Sequence, residues 1–195
     1  METRGGTIPD FGNVLARSRL VRLFERRAPA LTTIVAPSGY GKSVLAAQFA
    51  RLERFSAAHW ISLGDRGGSE EDMLAGLVSA LGSGRQRQSA VANVGPIESA
   101  RSAWMVSLMA ELDALEDMPV CVVLDGADTL EDLDFVRTLS STLRDRIGGG
   151  TCLVVTCRAL DQTVPVSASS EWVIEDLDLR FTDDEVSRLM DDWLG

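Results

Sequence analysis

Short apolar runs alternate along this chain with longer segments in which apolar residues recur every three or four positions. The short runs predict buried strands, because strands covered on both faces are apolar throughout. They lie at residues 31–35, 57–63, 120–125, 151–156 and 171–175. The longer segments predict amphipathic helices between and around these strands. Strands that alternate with helices indicate an α/β domain built on a five-stranded, mainly parallel sheet.

Structure-breaking residues and apolar periodicity divide the chain into three parts. Residues 1–13 contain several glycines and a proline, and we expect a flexible N-terminus there. Residues 14–178 form the predicted domain, which includes a long surface loop at residues 82–97. In residues 179–195 a capped helix has an apolar face that needs a partner, either the core of the domain or a following helical domain. We interpret this last segment as the first helix of a helical extension truncated at the chain end.

A glycine-bearing loop joins the first predicted strand to the helix that follows it. Strand, loop and helix in this order are the context of a phosphate-binding loop, or Walker A motif. Gly39 and Gly41 would let backbone N–H groups converge on a phosphate at the helix N-terminus. Lys42 would reach the β and γ phosphates, and the Ser43 hydroxyl would ligate Mg²⁺. The candidate nucleotide-binding residues are Ala36, Pro37, Ser38, Gly39, Tyr40, Gly41, Lys42, Ser43 and Val44. Ala36 stands where the strict pattern has glycine, and a tight turn with a chance Gly-Lys-Ser is the alternative interpretation.

Two polar residues follow predicted strands whose ends would lie close to this loop. Asp125 closes an apolar run, and in a parallel sheet that end lies where ligands collect. We interpret Asp125 as the Walker B aspartate, which would hold Mg²⁺ through its water shell; a strand-ending turn is the alternative. Arg158 follows the strand at residues 151–156 and would face a γ-phosphate there. Its alternatives are a helix cap and a surface position.

Composition bounds the class of protein. With 45% hydrophobic and 25% charged residues the 195-residue chain is globular, and no apolar run approaches the ~20 residues of a membrane span. The polar N-terminus does not read as a signal peptide, so we expect a cytoplasmic protein without a membrane partner. A net charge of −10 argues against binding of a nucleic-acid backbone by this segment. The acidic residues after position 170 form either a solvated surface or a docking face for another domain.

The cysteines and the single histidine favour structural roles. Cys121, Cys152 and Cys157 lie in or beside strand-like runs without metal-ligand spacing, and we expect neither a disulfide nor a zinc site. His59 lies inside a predicted strand, without cysteine or histidine neighbours at ligand spacing.

The order of the motifs resembles one particular family. After the phosphate loop come a strand carrying Trp60, the Asp125 strand, a strand ending in Thr156-Cys157-Arg158, and a helix start reading Leu179-Arg180-Phe181-Thr182. This order resembles the N-terminal nucleotide-binding domain of large LuxR-type transcriptional regulators. These form the MalT-like subgroup of the STAND, or NACHT-like, P-loop ATPases. The resemblance covers residues 17–195. It implies a P-loop NTPase fold, a three-layer αβα sandwich of the additional-strand (ASCE) type.

The resemblance also implies a function. In this family the domain binds ATP with Mg²⁺ and acts as a switch, and we expect ADP to favour a closed state and ATP a self-associating one. DNA binding would belong to a helix-turn-helix beyond Gly195, so the chain would be an N-terminal fragment.

The pattern at residues 14–24 predicts a basic helix that either shares in the adenine pocket or packs, solvated, on the sheet edge. Within it, Arg17 matches the Arg-x-x-Leu element that the family places before the phosphate-loop strand, which makes Arg17 a further nucleotide-binding candidate.

One position departs from the family pattern. Gly126 stands where the family usually has a second acid, immediately after the Walker B aspartate, that would orient the attacking water. Without a positioned base, general-base help worth ~10²–10⁴-fold is lost. Asp128 is the candidate replacement, and we expect tight nucleotide binding with slow hydrolysis. The catalytic candidates are Lys42, Asp125, Asp128 and Arg158.

Two other functions stay open. A free-standing P-loop kinase would need an acceptor pocket and an arginine-rich lid, of which the middle of the chain gives no sign. A non-catalytic interaction domain would need no nucleotide, and the intact Lys42, Ser43 and Asp125 argue against it.

Overall fold

The computed structural model describes most of the predicted domain. The described residues are 5–6, 8–63, 74, 76–78, 80, 106–109, 119–127, 133–147, 150–159 and 170–194. The strands are β1 (Gly5–Gly6), β2 (Leu31–Val35), β3 (Ala57–Ser62), β4 (Val120–Asp125), β5 (Cys152–Cys157) and β6 (Glu171–Ile174). The helices are α1 (Ser18–Arg27), α2 (Lys42–Ala50), α3 (Leu133–Ile147), α4 (Asp176–Leu179) and α5 (Asp183–Leu194). Residues 74, 76–78, 80 and 106–109 are helical too. Asp128 and the predicted loop at residues 82–97 lie outside the described residues.

The strands form one sheet in the order β1-β3-β4-β5-β2-β6. All neighbours from β3 to β6 pair in parallel, and the two-residue β1 pairs antiparallel to the edge of β3. The predicted five-stranded parallel sheet is therefore confirmed, with a short additional edge strand. β5 lies between β2, which leads into the phosphate loop, and β4, which ends in Asp125. This is the intervening-strand arrangement that defines the additional-strand type.

Helices cover both faces of the sheet, which explains why its central strands are apolar on both sides. On one face α3 buries Val136 and Leu139 against the sheet, and the helical residues Leu74, Leu77 and Leu108 belong to the same cluster. On the other face α1 and α2 pack through aromatic side chains. Phe24 stacks on Phe49 with ring centroids 4.2 Å apart, and Phe55 and Trp172 complete the contact. The result is the predicted three-layer αβα sandwich.

The first helix begins later than its apolar pattern predicts. The pattern starts at Val14, whereas α1 starts at Ser18. The side chain of Gln48 on α2 accepts a hydrogen bond from the backbone N–H of Arg17 at 2.8 Å and donates one to the backbone carbonyl of Leu15 at 3.0 Å. These two bonds take the place of a helical turn, because they satisfy the backbone groups that a turn would have paired.

The three cysteines are free, buried thiols. Cys121 and Cys152 lie opposite each other on β4 and β5. Burial raises the pKa of both thiols, that of Cys152 to about 12, so both stay protonated and pack as small apolar groups. Burial acts in the opposite sense on His59 of β3, because it disfavours the charged imidazolium and so lowers the pKa. A hydrogen bond involving the backbone of Ala80 raises the pKa by a smaller amount. The structure thus gives these groups packing roles.

Within the described part of the chain, none of the helices combines the length and the apolar character that crossing a bilayer requires.

We expect Phe24→Ala to lower the free energy of unfolding by about 3–5 kcal/mol, because it removes a fully buried ring from the stack between α1 and α2. Leu177→Ala is the control, since the Leu177 side chain is 62% exposed and its truncation should cost no more than about 0.5 kcal/mol. Urea unfolding followed by circular dichroism measures both. Equal losses in the two variants would contradict the packing described here.

Candidate nucleotide-binding site

The loop between β2 and α2 has the backbone geometry of an anion cradle. Gly39 and Gly41 have φ angles of +85° and +80°, in the left-handed region that favours glycine. A Cβ added at either position would meet no atom within 4 Å, so the backbone angle and not space is what requires glycine. Gly41 is also the N-cap of α2. Because glycine has no side chain with which to cap the helix, the first N–H groups of α2 remain available to an anion.

Lys42 begins α2 and lies along the same loop. Its Nζ donates a hydrogen bond to the backbone carbonyl of Pro37 at 3.0 Å, which folds the side chain over the cradle. Lys42 is the only lysine of the sequence. The other 18 of its 19 lysine and arginine residues are arginines. A compact ammonium, and not a guanidinium fork, therefore occupies the position where the motif requires a point charge.

Ser43, Asp125 and Thr156 meet at the carboxyl edge of the sheet. The Ser43 hydroxyl donates to Asp125 Oδ1 at 2.7 Å, and the Thr156 hydroxyl donates to the same oxygen at 2.7 Å. Ser43 comes from α2, Asp125 from the end of β4, and Thr156 from the end of the intervening β5. A hydroxyl and a carboxylate oxygen at this separation are the hard oxygen ligands that Mg²⁺ prefers, so the residues present fit the cation that the motifs imply.

Thr156 is a site residue whose role was not predicted from the sequence. Besides donating to Asp125, its hydroxyl accepts a hydrogen bond from the N–H of Gly126 at 2.9 Å, and its backbone carbonyl accepts one from the N–H of Ala127 at 2.8 Å. It therefore fixes both the Asp125 carboxylate and the turn that follows β4. The available signal was a hydroxyl residue at the end of an otherwise apolar strand.

Gly126 has a φ angle of +81°. A residue with a side chain is strained in this conformation, at a cost of roughly 1–2 kcal/mol. The backbone therefore favours glycine at the position directly after Asp125. The glycine that departs from the family pattern is thus matched to the turn in which it lies.

Arg158 follows β5 at the same edge of the sheet. The N–H of Ala36 donates to the backbone carbonyl of Cys157 at 3.2 Å, and Val35 pairs with Cys157 in the β2–β5 register. The start of the phosphate loop and the residue before Arg158 are therefore in direct contact. The Arg158 side chain is exposed. Arg158 therefore lies at the predicted edge of the sheet, and its role toward a γ-phosphate stays a prediction.

A cavity of about 560 Å³ opens beside the phosphate loop. Gly39, Tyr40, Gly41 and Val44 form one side of it, next to the cradle. Its other lining residues are Asn13, Val14, Leu15, Arg17, Leu179, Arg180, Phe181 and Leu189. The volume is within the range of small-molecule sites, and the walls are mainly apolar, which suits a flat heteroaromatic base with its sugar.

Arg17 is buried in the wall of this cavity and is bonded to the protein. Its Nε lies 3.2 Å from Glu185 Oε1, its Nη2 donates to the backbone carbonyl of Arg180 at 3.1 Å, and its guanidinium stacks over the Phe181 ring at 4.6 Å. The structure thus places Arg17 in the wall of this cavity, with its guanidinium turned toward the C-terminal segment. The site as a whole joins residues of α2, the carboxyl ends of β4 and β5, and the two ends of the described chain.

Comparisons with known proteins report on the family and the fold of the chain. A model of the AAA domain family matches residues 25–163. Among solved structures, a STAND (Signal Transduction ATPase with Numerous Domains) protein with a tetratricopeptide repeat sensor, PH0952 from Pyrococcus horikoshii, has a TM-score of 0.56 and 15% identity over 94% of this chain. Drosophila ORC, in a structure bound to DNA, has a TM-score of 0.55 and 15% identity over 90% of this chain. A search of curated proteins finds no match.

The two structural neighbours show the shared fold alone, because their identity to this chain is low. The chain spans about a quarter of the archaeal protein, 26%, and 44% of the Drosophila ORC chain. The residues matched by the family model make up most of the chain and include the phosphate loop, Asp125 and Arg158. The protein therefore belongs to the AAA domain family of P-loop ATPases.

Proposed function

We propose that this domain binds ATP or ADP with Mg²⁺ and acts as a regulatory switch in a signal-transduction ATPase of the LuxR-type, MalT-like group. The observation that carries the proposal is the 2.7 Å contact between Ser43 and Asp125. It joins the Ser43 hydroxyl and the Asp125 carboxylate beside the glycine cradle, which supports their proposed Walker A and Walker B roles. Neither residue alone indicates a nucleotide, whereas a hard-cation site next to an anion site does.

Each residue of the site has a defined task in this proposal. The N–H groups at the start of α2 and the Lys42 ammonium hold the phosphates. Ser43 and Asp125 hold Mg²⁺, which when bound neutralises phosphate charge. Thr156 orients the Asp125 carboxylate by its hydrogen bond. Arg158, at the same edge of the sheet, is the candidate for sensing a γ-phosphate, and the cavity lined by Leu15, Val44 and Phe181 takes the base.

The switch assignment rests on the expectation of slow hydrolysis and of protein contacts that differ between the ATP-bound and ADP-bound states. General-base catalysis needs a carboxylate within hydrogen-bond reach of the attacking water. The residue after Asp125 is a glycine in the left-handed region, so the usual base is absent from that position. A domain that holds ATP and hydrolyses it slowly keeps its ATP-bound arrangement long enough for other parts of a protein to respond. A ligand shifts such an equilibrium only through contacts that differ between the two states.

The larger protein is part of the proposal. The motif order that resembles the LuxR-type regulators, together with a STAND protein as structural neighbour, supports an N-terminal module followed by a helical extension that begins near residue 179. Phe181, Val186 and Met190 are exposed along this C-terminal segment, which suits packing against such an extension. ATP-dependent self-association and DNA contact through a separate helix-turn-helix belong to the same proposal.

Mg-ATP binding is the first test. We expect Lys42→Ala to weaken Mg-ATP binding about 10- to 100-fold, because it removes a charge-assisted contact to phosphate, and Asp125→Asn to abolish the magnesium dependence of binding. Isothermal titration calorimetry measures both. Arg51→Ala, at the opposite end of α2, is the control and should bind as the wild type does.

The single lysine allows an independent readout of the same site. An amine-selective acylating reagent can modify only Lys42 and the chain terminus, and Mg-ATP should protect Lys42 from it. Unchanged labelling at saturating Mg-ATP, or no heat of binding in the wild type, would remove the proposal and favour an interaction domain without nucleotide.

The turn at Gly126 generates a stability prediction. Gly126→Ala should lower the free energy of unfolding by about 1–2 kcal/mol, because alanine is strained at a φ of +81°. Gly126→Asn should lose less, since asparagine tolerates the left-handed region better than alanine. Thermal unfolding of the three proteins gives the order, and an alanine variant as stable as the wild type would contradict it.

Turnover tests the expected role of Asp128. We expect slow ATP hydrolysis by the wild type, lowered by about 10²-fold or more in Asp128→Asn if that carboxylate replaces the missing base, with nucleotide affinity unchanged. Release of inorganic phosphate measures the rate, and Lys42→Ala gives the background. Fast turnover that Asp128→Asn does not affect would eliminate Asp128 as the base.

A further inference from the structure

We propose that Gln48, Arg17 and Glu185 form a positioning relay that couples occupancy of the nucleotide cavity to the placement of α5. The relay links the phosphate-loop helix to the C-terminal helix across the wall of the cavity. None of the three is assigned here to the phosphates or to Mg²⁺. The inference rests on the proposed nucleotide site and adds to it a means of regulation.

Gln48 forms the first half of the relay. It lies on α2, the helix that also carries Lys42 and Ser43. Its Oε1 accepts from the backbone N–H of Arg17 and its Nε2 donates to the carbonyl of Leu15, at 2.8 and 3.0 Å. One side-chain amide thus pairs with the backbone as a neighbouring strand would. Because Leu15 lines the cavity, this wall is fixed to the same helix as the phosphate-binding residues.

Arg17 and Glu185 form the second half. Their ion pair is 3.2 Å long, and the two side chains are only 6% and 8% exposed. Water and salt therefore screen the pair weakly. Arg17 also donates to the carbonyl of Arg180, and Glu185 accepts from the N–H of Thr182 at 3.0 Å in the capping box that begins α5. Glu185, which pairs with Arg17, is therefore also the residue that caps the start of α5.

The cavity lies between the parts that the relay joins. Its lining combines Leu15 and Arg17 from the segment before α1, residues of the phosphate loop, and Leu179, Phe181 and Leu189 from the C-terminal segment. A ligand that fills the cavity contacts both of these segments at once. Its binding free energy therefore depends on how firmly the protein holds the two segments in place. Linkage requires the reverse effect as well, so nucleotide must hold α5 more firmly by the same free energy.

A purely structural ion pair would behave differently, and the chain offers one for comparison. Arg137 and Glu171 make a bidentate pair with bonds of 2.9 and 3.1 Å, and their side chains are 21% and 14% exposed. Glu171 is the first residue of β6, at the amino end of the parallel strands and so opposite to the phosphate loop. Breaking this pair should change stability without changing nucleotide affinity.

A double-mutant cycle on the full chain tests the relay. We expect Arg17→Gln and Glu185→Gln each to weaken Mg-ATP affinity about tenfold, and the double variant to bind no more weakly than either single variant. Gln48→Ala should weaken Mg-ATP affinity in the same way. Because Gln48 is only half-buried, this variant still tests the relay when a substitution at the buried Arg17 or Glu185 prevents folding. Glu171→Gln is the matched control and should keep wild-type affinity.

Two further measurements separate the relay from the phosphate site. Inorganic pyrophosphate occupies the phosphate loop without filling the cavity, so its affinity should be unchanged in the relay variants and lowered in Lys42→Ala. Hydrogen exchange at residues 183–191 should slow on Mg-ATP binding in the wild type and not in the relay variants. Thermal unfolding of every variant reports its stability.

The outcomes are distinguishable. Additive losses, wild-type affinity in the relay variants, or an equal loss in Glu171→Gln would overturn the relay and leave nucleotide binding intact. A wild-type protein that binds neither Mg-ATP nor pyrophosphate would remove the proposed function, and the relay with it.

Discussion

The site depends on one short contact, the hydrogen bond from Ser43 to Asp125 at 2.7 Å. It ties the start of α2 to the end of β4. The strand that leads into α2 is β2, and β2 and β4 are not neighbours in the sheet because β5 lies between them. Thr156 at the end of β5 bonds the same carboxylate oxygen and bridges that gap. Three elements therefore converge on one oxygen atom, and the glycine cradle lies directly beside it.

The backbone conformation at a few positions sets what this site can do. Gly39 and Gly41 adopt positive φ angles that open the loop to an anion, and Gly126 adopts one that turns the chain away after Asp125. The first two favour binding of phosphate. The third disfavours a side chain where a catalytic base would stand. Under the proposed function, glycine thus supports phosphate binding at one position and leaves no carboxylate at another, which is the combination expected of a switch.

Long-range contacts complete the site with residues from both ends of the described chain. The segment before α1 is held to α2 by Gln48, and the start of α5 is held to that segment by the Arg17–Glu185 pair. Each contact joins residues far apart in sequence, and a ligand between these parts would contact all of them. Under the proposed function, a nucleotide in this cavity would hold the C-terminal helix in place, because a change in one wall changes the contacts of the other.

The sequence by itself determined the strands, their parallel pairing around an intervening strand and the phosphate loop with Asp125. Apolar runs and glycine positions are local signals that tertiary contacts did not override. It also placed Arg17 and Arg158 near the site, but it could not give the later start of α1, the role of Thr156 or the partner of Arg17. Those depend on side-chain bonds across 31 and 168 positions of the chain. Periodicity carries no information about which distant groups meet, so only the folded structure decided them.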